Sequence, residues 1–253
     1  VAAAICARAE NAPFVIDETT LASSLGKLFP VDTPARDQRT AAMTAVRRPL
    51  SIISGGPGTG KTATAIRILI LLQQLDSKRP LRVALTAPTG KAAARLRDTL
   101  TNADPSYEQL PFAELTETAT LHRLLGFRAN GRPAAGADQP LTHDVVLVDE
   151  ASMIDLNLMA TLLEALPEHT RLILLGDPDQ LASVEAGAVL SDLCAGMVKP
   201  TKGRATDHNS AAPTLDSCVT VLRHNWRFSK SSGIGQLAGA INAGDADRAL
   251  AYL

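Results

Sequence analysis

A glycine-rich segment at residues 55–62, GGPGTGKT, fits the pattern G-x-x-x-x-G-K-[ST]. It follows an apolar run at 50–54 and precedes a strongly apolar helical stretch at 63–75, so a buried strand and a helix flank it. In this setting the backbone N–H groups turn inward around phosphates, and the helix N-terminus adds positive potential. The segment predicts a phosphate-binding loop with these contacting residues: Gly56, Pro57, Gly58, Thr59, Gly60, Lys61 and Thr62.

Two carboxylates, Asp149 and Glu150, end a second apolar run, VVLVDE at 145–150. A strand that ends in an acidic pair downstream of a phosphate loop is typical of a Walker B motif. We expect Asp149 and Thr62 to hold Mg²⁺, Lys61 to reach the β and γ oxygens of ATP, and Glu150 to orient and deprotonate the attacking water. A merely solvated acidic pair is the alternative.

Three further polar side chains are candidates for the same site. Gln38 precedes the loop on a helical stretch, and its amide could pair with the N6 and N7 edge of adenine. Gln180 follows the apolar run LILLGD and is placed to sense a γ-phosphate, whereas Arg227 could act as an arginine finger on the transferring phosphoryl group. Each residue also has an ordinary alternative: Gln38 as a solvated glutamine, Gln180 as a capping residue in a turn, and Arg227 as a surface arginine.

Two turns that follow predicted strands are candidates for contact with nucleic acid. The segment TAPTGK at 86–91 supplies hydroxyls, backbone amides and one cation at a helix start, which suits a phosphodiester backbone. The segment TLHR at 120–123 carries a weaker signal. A well-capped turn and a structural histidine are the alternatives. The candidate DNA-binding residues are Pro88, Thr89, Gly90, Lys91, Thr120 and His122.

Strand and helix patterns alternate along most of the chain. Short apolar runs separated by helices predict an α/β fold, a parallel sheet covered by helices on both faces. Segments 129–140 and 199–212 are rich in Gly, Pro and polar residues and predict loops. The predicted strands cover 50–54, 82–87, 144–149 and 171–176, with a strand and turn near 118–122, and the predicted helices cover 37–47, 63–75, 91–100 and 157–166.

Composition narrows the class of protein. Apolar residues make up 45% of the chain and aromatic residues 3%, so Ala, Leu, Val and Ile must fill the core. Cys6, Cys194 and Cys218 stand far apart, which indicates neither a disulfide framework nor a zinc site and favours a cytoplasmic location. No apolar run approaches the roughly 18 residues of a membrane span. The net charge of −1 means that any DNA contact must be local.

Taken together, the motifs from 37 to 253 resemble those of superfamily-1 DNA helicases, most closely the RecD family, the alpha chains of exodeoxyribonuclease V. The order and spacing agree throughout, although Trp226 stands where Tyr is more usual. The segments that carry the resemblance are SGGPGTGKT (54–62), TAPTGKAAARL (86–96), TLHRLLG (120–126), LVDEASMIDL (147–156), LGDPDQLASVEAGAVLSDL (175–193) and NWRF (225–228) with SGIGQLAGAIN (232–242).

The resemblance implies a RecA-like P-loop ATPase domain, the first helicase motor domain, over 35–253, after a leader or the tail of an upstream domain at 1–34. It implies that Gln38 reads adenine, Gln180 couples the γ-phosphate to the DNA-contacting segments and Arg227 completes the ATP site. Single-stranded DNA would cross the two candidate turns with 5′-to-3′ movement, in a complex with nuclease/helicase and scaffold subunits that serves double-strand-break repair and recombination. We expect the second motor domain of that family to lie outside this segment, which alone should not unwind DNA.

Two other classes of protein share parts of this pattern. A small-molecule kinase or a GTPase shares the phosphate loop, but the acidic pair and Gln180 disfavour both, and the chain has no N-K-x-D-like guanine-binding motif. A non-motor subunit whose nucleotide site regulates assembly is the second alternative. Stimulation of ATP hydrolysis by single-stranded DNA separates a motor from such a subunit.

Overall fold

One parallel sheet organises the chain. The computed structural model describes residues 1–11, 14–29, 31, 35–76, 78–103, 116–180, 187, 189–198, 214–227, 232–242 and 244–252. Within these ranges the sheet has six strands in the order β3-β2-β4-β5-β1-β6, and every neighbouring pair is parallel. The strands are β1 (Leu50–Ser54), β2 (Val83–Ala87), β3 (Thr116–Thr120), β4 (Val145–Val148), β5 (Arg171–Gly176) and β6 (Val219–Val221).

Helices connect the strands and flank the sheet. Two short 3-10 helices, at Ala151–Met153 and Leu215–Cys218, lie beside them. The α-helices in the described residues are α1 (Ala2–Glu10), α2 (Glu18–Leu28), α3 (Arg36–Arg47), α4 (Lys61–Leu75), α5 (Gly90–Ala103), α6 (Leu121–Leu124), α7 (Leu156–Ala165), α8 (Val189–Val198), α9 (Gly233–Asn242) and α10 (Ala246–Leu250).

The elements predicted from the apolar runs are confirmed with small changes in their bounds. The strands predicted at 50–54 and 171–176 have those bounds, and the other two lose only terminal residues. The segment near 118–122 divides into the end of β3 and the short helix α6. The predicted loop at 129–140 contains no helix or strand. The loop predicted at 199–212 lies outside the described residues.

Both faces of the sheet are covered, because successive strand residues point to opposite sides. In β4, Val145 and Leu147 join a core with helices α2, α3, α4 and α5, whereas Val146 and Val148 join a second core with α1, α7 and α8. All four side chains are essentially inaccessible to solvent. The predicted α/β class with a doubly covered parallel sheet is therefore confirmed.

The first two helices belong to the two cores. Leu21 and Leu25 of α2 belong to one core, and Ile5 of α1 belongs to the other. The buried guanidinium of Arg8 also donates to the carbonyl oxygens of Leu166, Pro167 and Thr170, at 3.0, 2.7 and 2.6 Å. The predicted division of the chain at residue 34 stays a prediction. Within the described ranges, no helix is both long enough and apolar enough to cross a bilayer.

A buried carboxylate ties together the amino ends of β2 and β4. The side chain of Asp144, 7% exposed, accepts hydrogen bonds from both terminal nitrogens of Arg79, at 2.7 and 2.9 Å, and from the Arg82 backbone N–H at 2.9 Å. Burial alone would raise the pKa of this carboxyl, but the bonds from Arg79 and Arg82 hold its pKa well below the ordinary value. The ionised carboxylate therefore stabilises the fold.

Replacement of Asp144 by Asn should lower the free energy of unfolding at pH 7 by about 2 kcal/mol, since charge-assisted hydrogen bonds are lost. The folded pKa lies below the unfolded one, so this contribution is complete above roughly pH 4 and is lost as the pH falls through the folded pKa. The difference between Asp144→Asn and the unsubstituted protein should thus shrink in acid, as measured by urea unfolding at several pH values. Asp138→Asn, in an exposed loop, is the matched control. A cost independent of pH would contradict this account.

Candidate nucleotide and DNA site

The carboxyl ends of the parallel strands place the predicted motifs at one edge of the sheet. The phosphate loop follows β1, the acidic pair follows β4, and the segments of Gln180 and Arg227 follow β5 and β6. Ligands bind at this edge in open α/β sheets. A cleft of about 790 Å³ opens there. It is lined by these predicted site residues: Pro57, Gly58, Gly60, Lys61, Thr62, Thr89, Lys91, Asp149, Glu150, Gln180 and Arg227.

The loop at 55–60 has the backbone that a phosphate cradle requires. Gly58 and Gly60 have φ of 80° and 84°, in the left-handed region that favours glycine. Helix α4 begins immediately afterwards at Lys61, so its free N–H groups point into the cleft. The Lys61 ammonium donates to the carbonyl oxygens of Gly55 and Gly56, at 2.5 and 3.2 Å, which places the cation inside the loop.

Two oxygen ligands suited to Mg²⁺ meet across the cleft. The hydroxyl of Thr62, in the first turn of α4, donates to Oδ2 of Asp149 at 3.3 Å. The N–H of Asp149 donates to the Thr86 carbonyl at 2.8 Å, which fixes the residue at the end of β4. Hydroxyl and carboxylate oxygens are the donors that Mg²⁺ prefers, usually together with water and substrate phosphates. The residues present therefore fit a magnesium-nucleotide site.

Glu150 is held in an unusual backbone conformation. In the described part of the chain it is the one non-glycine residue with positive φ, at 53°. Its N–H donates to Oδ1 of Asp149 at 2.9 Å, so the two carboxylates diverge from a tight turn. Such strain costs on the order of 1–3 kcal/mol and is concentrated at functional sites. The turn lets Asp149 approach Thr62 while Glu150 lines the cleft separately.

Burial shifts the proton affinities of the three central charges. It lowers the pKa of the Lys61 ammonium, an effect that Asp177, Asp149 and Glu150 partly offset. It raises the pKa of the Asp149 carboxyl despite the hydrogen bonds that this group accepts. The pKa of Glu150 is also raised, first by burial and then by the charge of Asp149. A carboxylate of raised pKa is a stronger base, which suits Glu150 for proton abstraction from water.

The remaining nucleotide candidates lie beside the loop. Gln38, on α3, is buried, and its Nε2 lies 3.0 Å from where a Cβ on Gly60 would stand. Trp226 Cδ1 lies 3.3 Å from the same point, so an amide and an aromatic ring flank the end of the loop. Arg227 is exposed and lines the cleft. Gly56 and Thr59 belong to the loop, where the Thr59 hydroxyl donates to the Gly56 carbonyl at 2.8 Å.

The two candidate DNA turns are neighbours at the same edge. Strands β2 and β3 pair so that Ala87 lies opposite Thr120, which places Pro88 to Lys91 beside Thr120 and His122. The Thr120 hydroxyl accepts the Arg123 N–H at 3.3 Å and caps helix α6. The His122 ring packs against Phe127 with centroids 5.0 Å apart, while the residue stays exposed. Capping and packing roles are thus present for both residues, and a DNA-contacting role for them stays a prediction.

Three residues near the site were not predicted from the sequence. Asp177 is buried, and its charge acts on both Lys61 and Glu150. Arg95 lines the cleft one helical turn after Lys91, a spacing that places both on one face of α5. The Asn225 side chain contacts the phosphate loop. The spacing from Lys91 was the available signal for Arg95, whereas nothing local distinguished Asn225.

A family model described as "AAA domain" matches residues 38–186, more than half of the chain. The chain belongs to this AAA domain family. The matched range contains the phosphate loop, the acidic pair and both candidate DNA turns of the AAA domain. With the parallel strand order and the phosphate loop after β1, the prediction of a RecA-like P-loop fold is confirmed.

Known proteins resemble this AAA domain closely in sequence. The RecBCD enzyme subunit RecD of Haemophilus influenzae is 43% identical over 247 residues, covering 89% of this chain and 38% of that protein. The protein of the same name from Mycolicibacterium smegmatis is 46% identical over 224 residues, covering 86% of this chain and 37% of that protein. The crystal structure of Pif1 helicase from Candida albicans aligns with 80% of this chain and 43% of its own, at 20% identity and a TM-score of 0.46.

The two RecD sequence matches confirm the resemblance to the RecD family. The chain spans less than two fifths of the length of the two RecD proteins, 38% and 37%. The roles of individual side chains in the AAA domain stay predictions, which direct measurements can test.

Lys61→Ala should weaken the binding of Mg-ATP by roughly 100-fold or more, because two charge-assisted hydrogen bonds of about 1.5 kcal/mol each are lost. Titration calorimetry with a slowly hydrolysed ATP analogue measures this change. Lys27→Ala, an exposed lysine on α2, is the matched control and should bind as the unsubstituted protein does. An unchanged affinity in Lys61→Ala would show that the nucleotide binds elsewhere.

Proposed function

We propose that this chain is the first motor domain, over 35–253, of an ATP-dependent DNA helicase. In this proposal it binds Mg-ATP in the cleft at the sheet edge and couples hydrolysis to 5′-to-3′ movement along single-stranded DNA. The direction comes from the resemblance to the RecD family. The observation that carries the proposal is the 3.3 Å approach of the Thr62 hydroxyl to the Asp149 carboxylate, across 87 positions of sequence, beside the Lys61 ammonium.

ATP binding would be divided among loop, helix and lysine. The N–H groups of the loop and of the first turn of α4 would surround the β- and γ-phosphates, and Lys61 would exchange its bonds to loop carbonyls for bonds to phosphate oxygens. Mg²⁺, held by Thr62 and Asp149, would neutralise charge that develops on the phosphate oxygens. Gln38, buried beside Gly60, is placed to read the adenine edge.

Hydrolysis would depend on groups that surround the γ-phosphate. Glu150 accepts a proton from the attacking water, for which its raised pKa suits it. Gln180 lines the cleft after β5 and would respond to the presence of the γ-phosphate. Arg227 lines the cleft from the segment after β6 and would stabilise the transferring phosphoryl group. The three side chains follow the ends of three different strands, so each would act from a different part of the sheet edge.

DNA binding would occupy the turns after β2 and β3. Thr89 and Lys91 also line the nucleotide cleft, so one short segment faces both proposed ligands. The Thr89 hydroxyl accepts the Ala92 N–H at 3.3 Å and caps α5. Other N–H groups in the first turn of this helix would be available to a phosphate. Binding of nucleotide or of DNA would therefore affect the same first turn of α5. This connection supports a motor rather than an isolated nucleotide site.

Movement along a strand requires two lobes that close on ATP and reopen after hydrolysis. We propose that a second motor domain supplies the other lobe and that this domain alone does not unwind duplex DNA. The RecD proteins that it resembles are named as subunits of a RecBCD enzyme. We therefore propose nuclease/helicase and scaffold subunits as partners, with a role in double-strand-break repair and recombination.

Glu150→Gln should retain the affinity for Mg-ATP but lose hydrolysis by roughly 10²- to 10⁴-fold, the usual contribution of a general base. Initial rates of phosphate release by the full-length protein, measured with saturating single-stranded DNA, give this loss. Glu164→Gln, on the exposed side of α7, is the control. Hydrolysis at the unsubstituted rate in Glu150→Gln would remove this residue from the mechanism.

Lys91→Ala should raise the concentration of oligothymidylate needed for half-maximal stimulation of ATP hydrolysis. The logarithm of the apparent DNA affinity falls linearly with the logarithm of the salt concentration, and the magnitude of this slope should be smaller by about 0.7 in the variant. Lys78→Ala, an exposed lysine between α4 and β2, is the matched control. If single-stranded DNA does not change the rate of ATP hydrolysis by the full-length protein at all, the protein is a non-motor subunit whose nucleotide site has a regulatory role.

A further inference from the structure

The segment 222–227, here called the Arg227 strap, runs from the end of β6 along the phosphate loop. It begins as an extension of the sheet, where the Leu222 N–H donates to the Ser54 carbonyl at 2.7 Å. Four residues later the Trp226 N–H donates to the Gly58 carbonyl at 2.8 Å. The strap therefore bonds to backbone carbonyl oxygens at both ends, and its last two residues, Trp226 and Arg227, line the cleft.

One side chain of the strap bonds in two directions. The Asn225 amide donates from Nδ2 to the Pro57 carbonyl at 2.9 Å. Its Oδ1 accepts the backbone N–H of Arg227, also at 2.9 Å. A single planar amide thus connects the tip of the phosphate loop to the backbone that carries the proposed arginine finger.

The contact at the loop tip leaves no room for a side chain at Gly58. A Cβ on Gly58 would stand 2.8 Å from Asn225 Oδ1 and 2.8 Å from the Cβ of Arg227. Because the φ of Gly58 is also 80°, glycine is required there by both conformation and packing. Loop and strap are in direct contact at this point, so a shift of one displaces the other.

We propose that Asn225 is a positioning residue that locks Arg227 to the phosphate loop, so that the finger follows the loop when nucleotide binds. This inference rests on the proposed function, since it assigns how Arg227 is aimed. Arg227 is exposed, and a long arginine side chain on a free backbone would sample many directions. The bridge fixes the backbone from which the guanidinium extends and sets its distance from the γ-phosphate side of the cleft.

The alternative is that Asn225 only stabilises a local turn, as asparagine often does by accepting an N–H two residues later. The chain contains a matched case of that turn. Asn130 Oδ1 accepts the N–H of Arg132 at 3.1 Å in the exposed loop at 129–140, away from the cleft. Asn130→Ala therefore removes an equivalent turn bond without touching the phosphate loop.

The test is a double-mutant cycle in the full-length protein with Asn225→Ala, Arg227→Ala and the double variant. The kcat and KM for ATP are measured at saturating oligothymidylate. Misplacement of a catalytic group by about 1 Å costs on the order of 100-fold, so we expect Asn225→Ala to lower kcat by roughly 10- to 100-fold and to change KM little. The double variant should have the kcat of Arg227→Ala alone, because Asn225 acts through that residue. Asn130→Ala should match the unsubstituted protein.

Three kinetic outcomes would overturn the inference. They are a kcat of Asn225→Ala equal to that of the unsubstituted protein, losses that multiply in the double variant, and a loss confined to KM. Thermal unfolding and Mg-ADP affinity of each variant show whether the fold and the loop remain intact. An Asn225→Ala variant that unfolds or loses Mg-ADP binding also contradicts a role limited to Arg227. Failure of the proposed function would be distinct, since the unsubstituted protein would then show no DNA-stimulated hydrolysis.

Discussion

The contact between the Thr62 hydroxyl and the Asp149 carboxylate is the interaction on which the rest of the site depends. It joins the first turn of α4 to the end of β4, although β5 lies between β4 and the strand that leads into the loop. The contact exists because every strand of the sheet is parallel, so all the carboxyl ends reach one edge. Burial of side chains on both faces, at roughly 1.5–3 kcal/mol for each large apolar residue, holds that edge in place.

The elements themselves were predictable because each strand is a short apolar run with both faces buried. Val145 to Val148 and Leu172 to Leu175 show this pattern directly, and so their bounds could be read to within a residue. The phosphate loop was predictable for a different reason: its glycines, lysine and threonine are adjacent in sequence and need only a strand before and a helix after. Local chemistry and local structure agree there, which makes the motif specific.

Features that depend on long-range contacts were not predictable. The bridge formed by Asn225 joins residues 168 positions apart, and the bonds from Arg8 span about 160 positions. The order of the strands, with β5 between β1 and β4, is equally invisible in a linear pattern. The left-handed backbone of Glu150 was not predictable either, because glutamate seldom adopts it and only the surrounding packing imposes it.

The net charge of the whole chain, −1, does not reflect the local excess of positive charge at the sheet edge. Four cationic side chains line the cleft, Lys61, Lys91, Arg95 and Arg227, against the two carboxylates of the acidic pair. A cleft with this excess of positive charge attracts a triphosphate even in an acidic protein. Lys91 belongs both to this lining and to the turn proposed for DNA, so the two proposed anionic ligands would share one cation. If each proposed ligand moves Lys91, the affinity for the other ligand would change, and linkage requires that this effect be reciprocal.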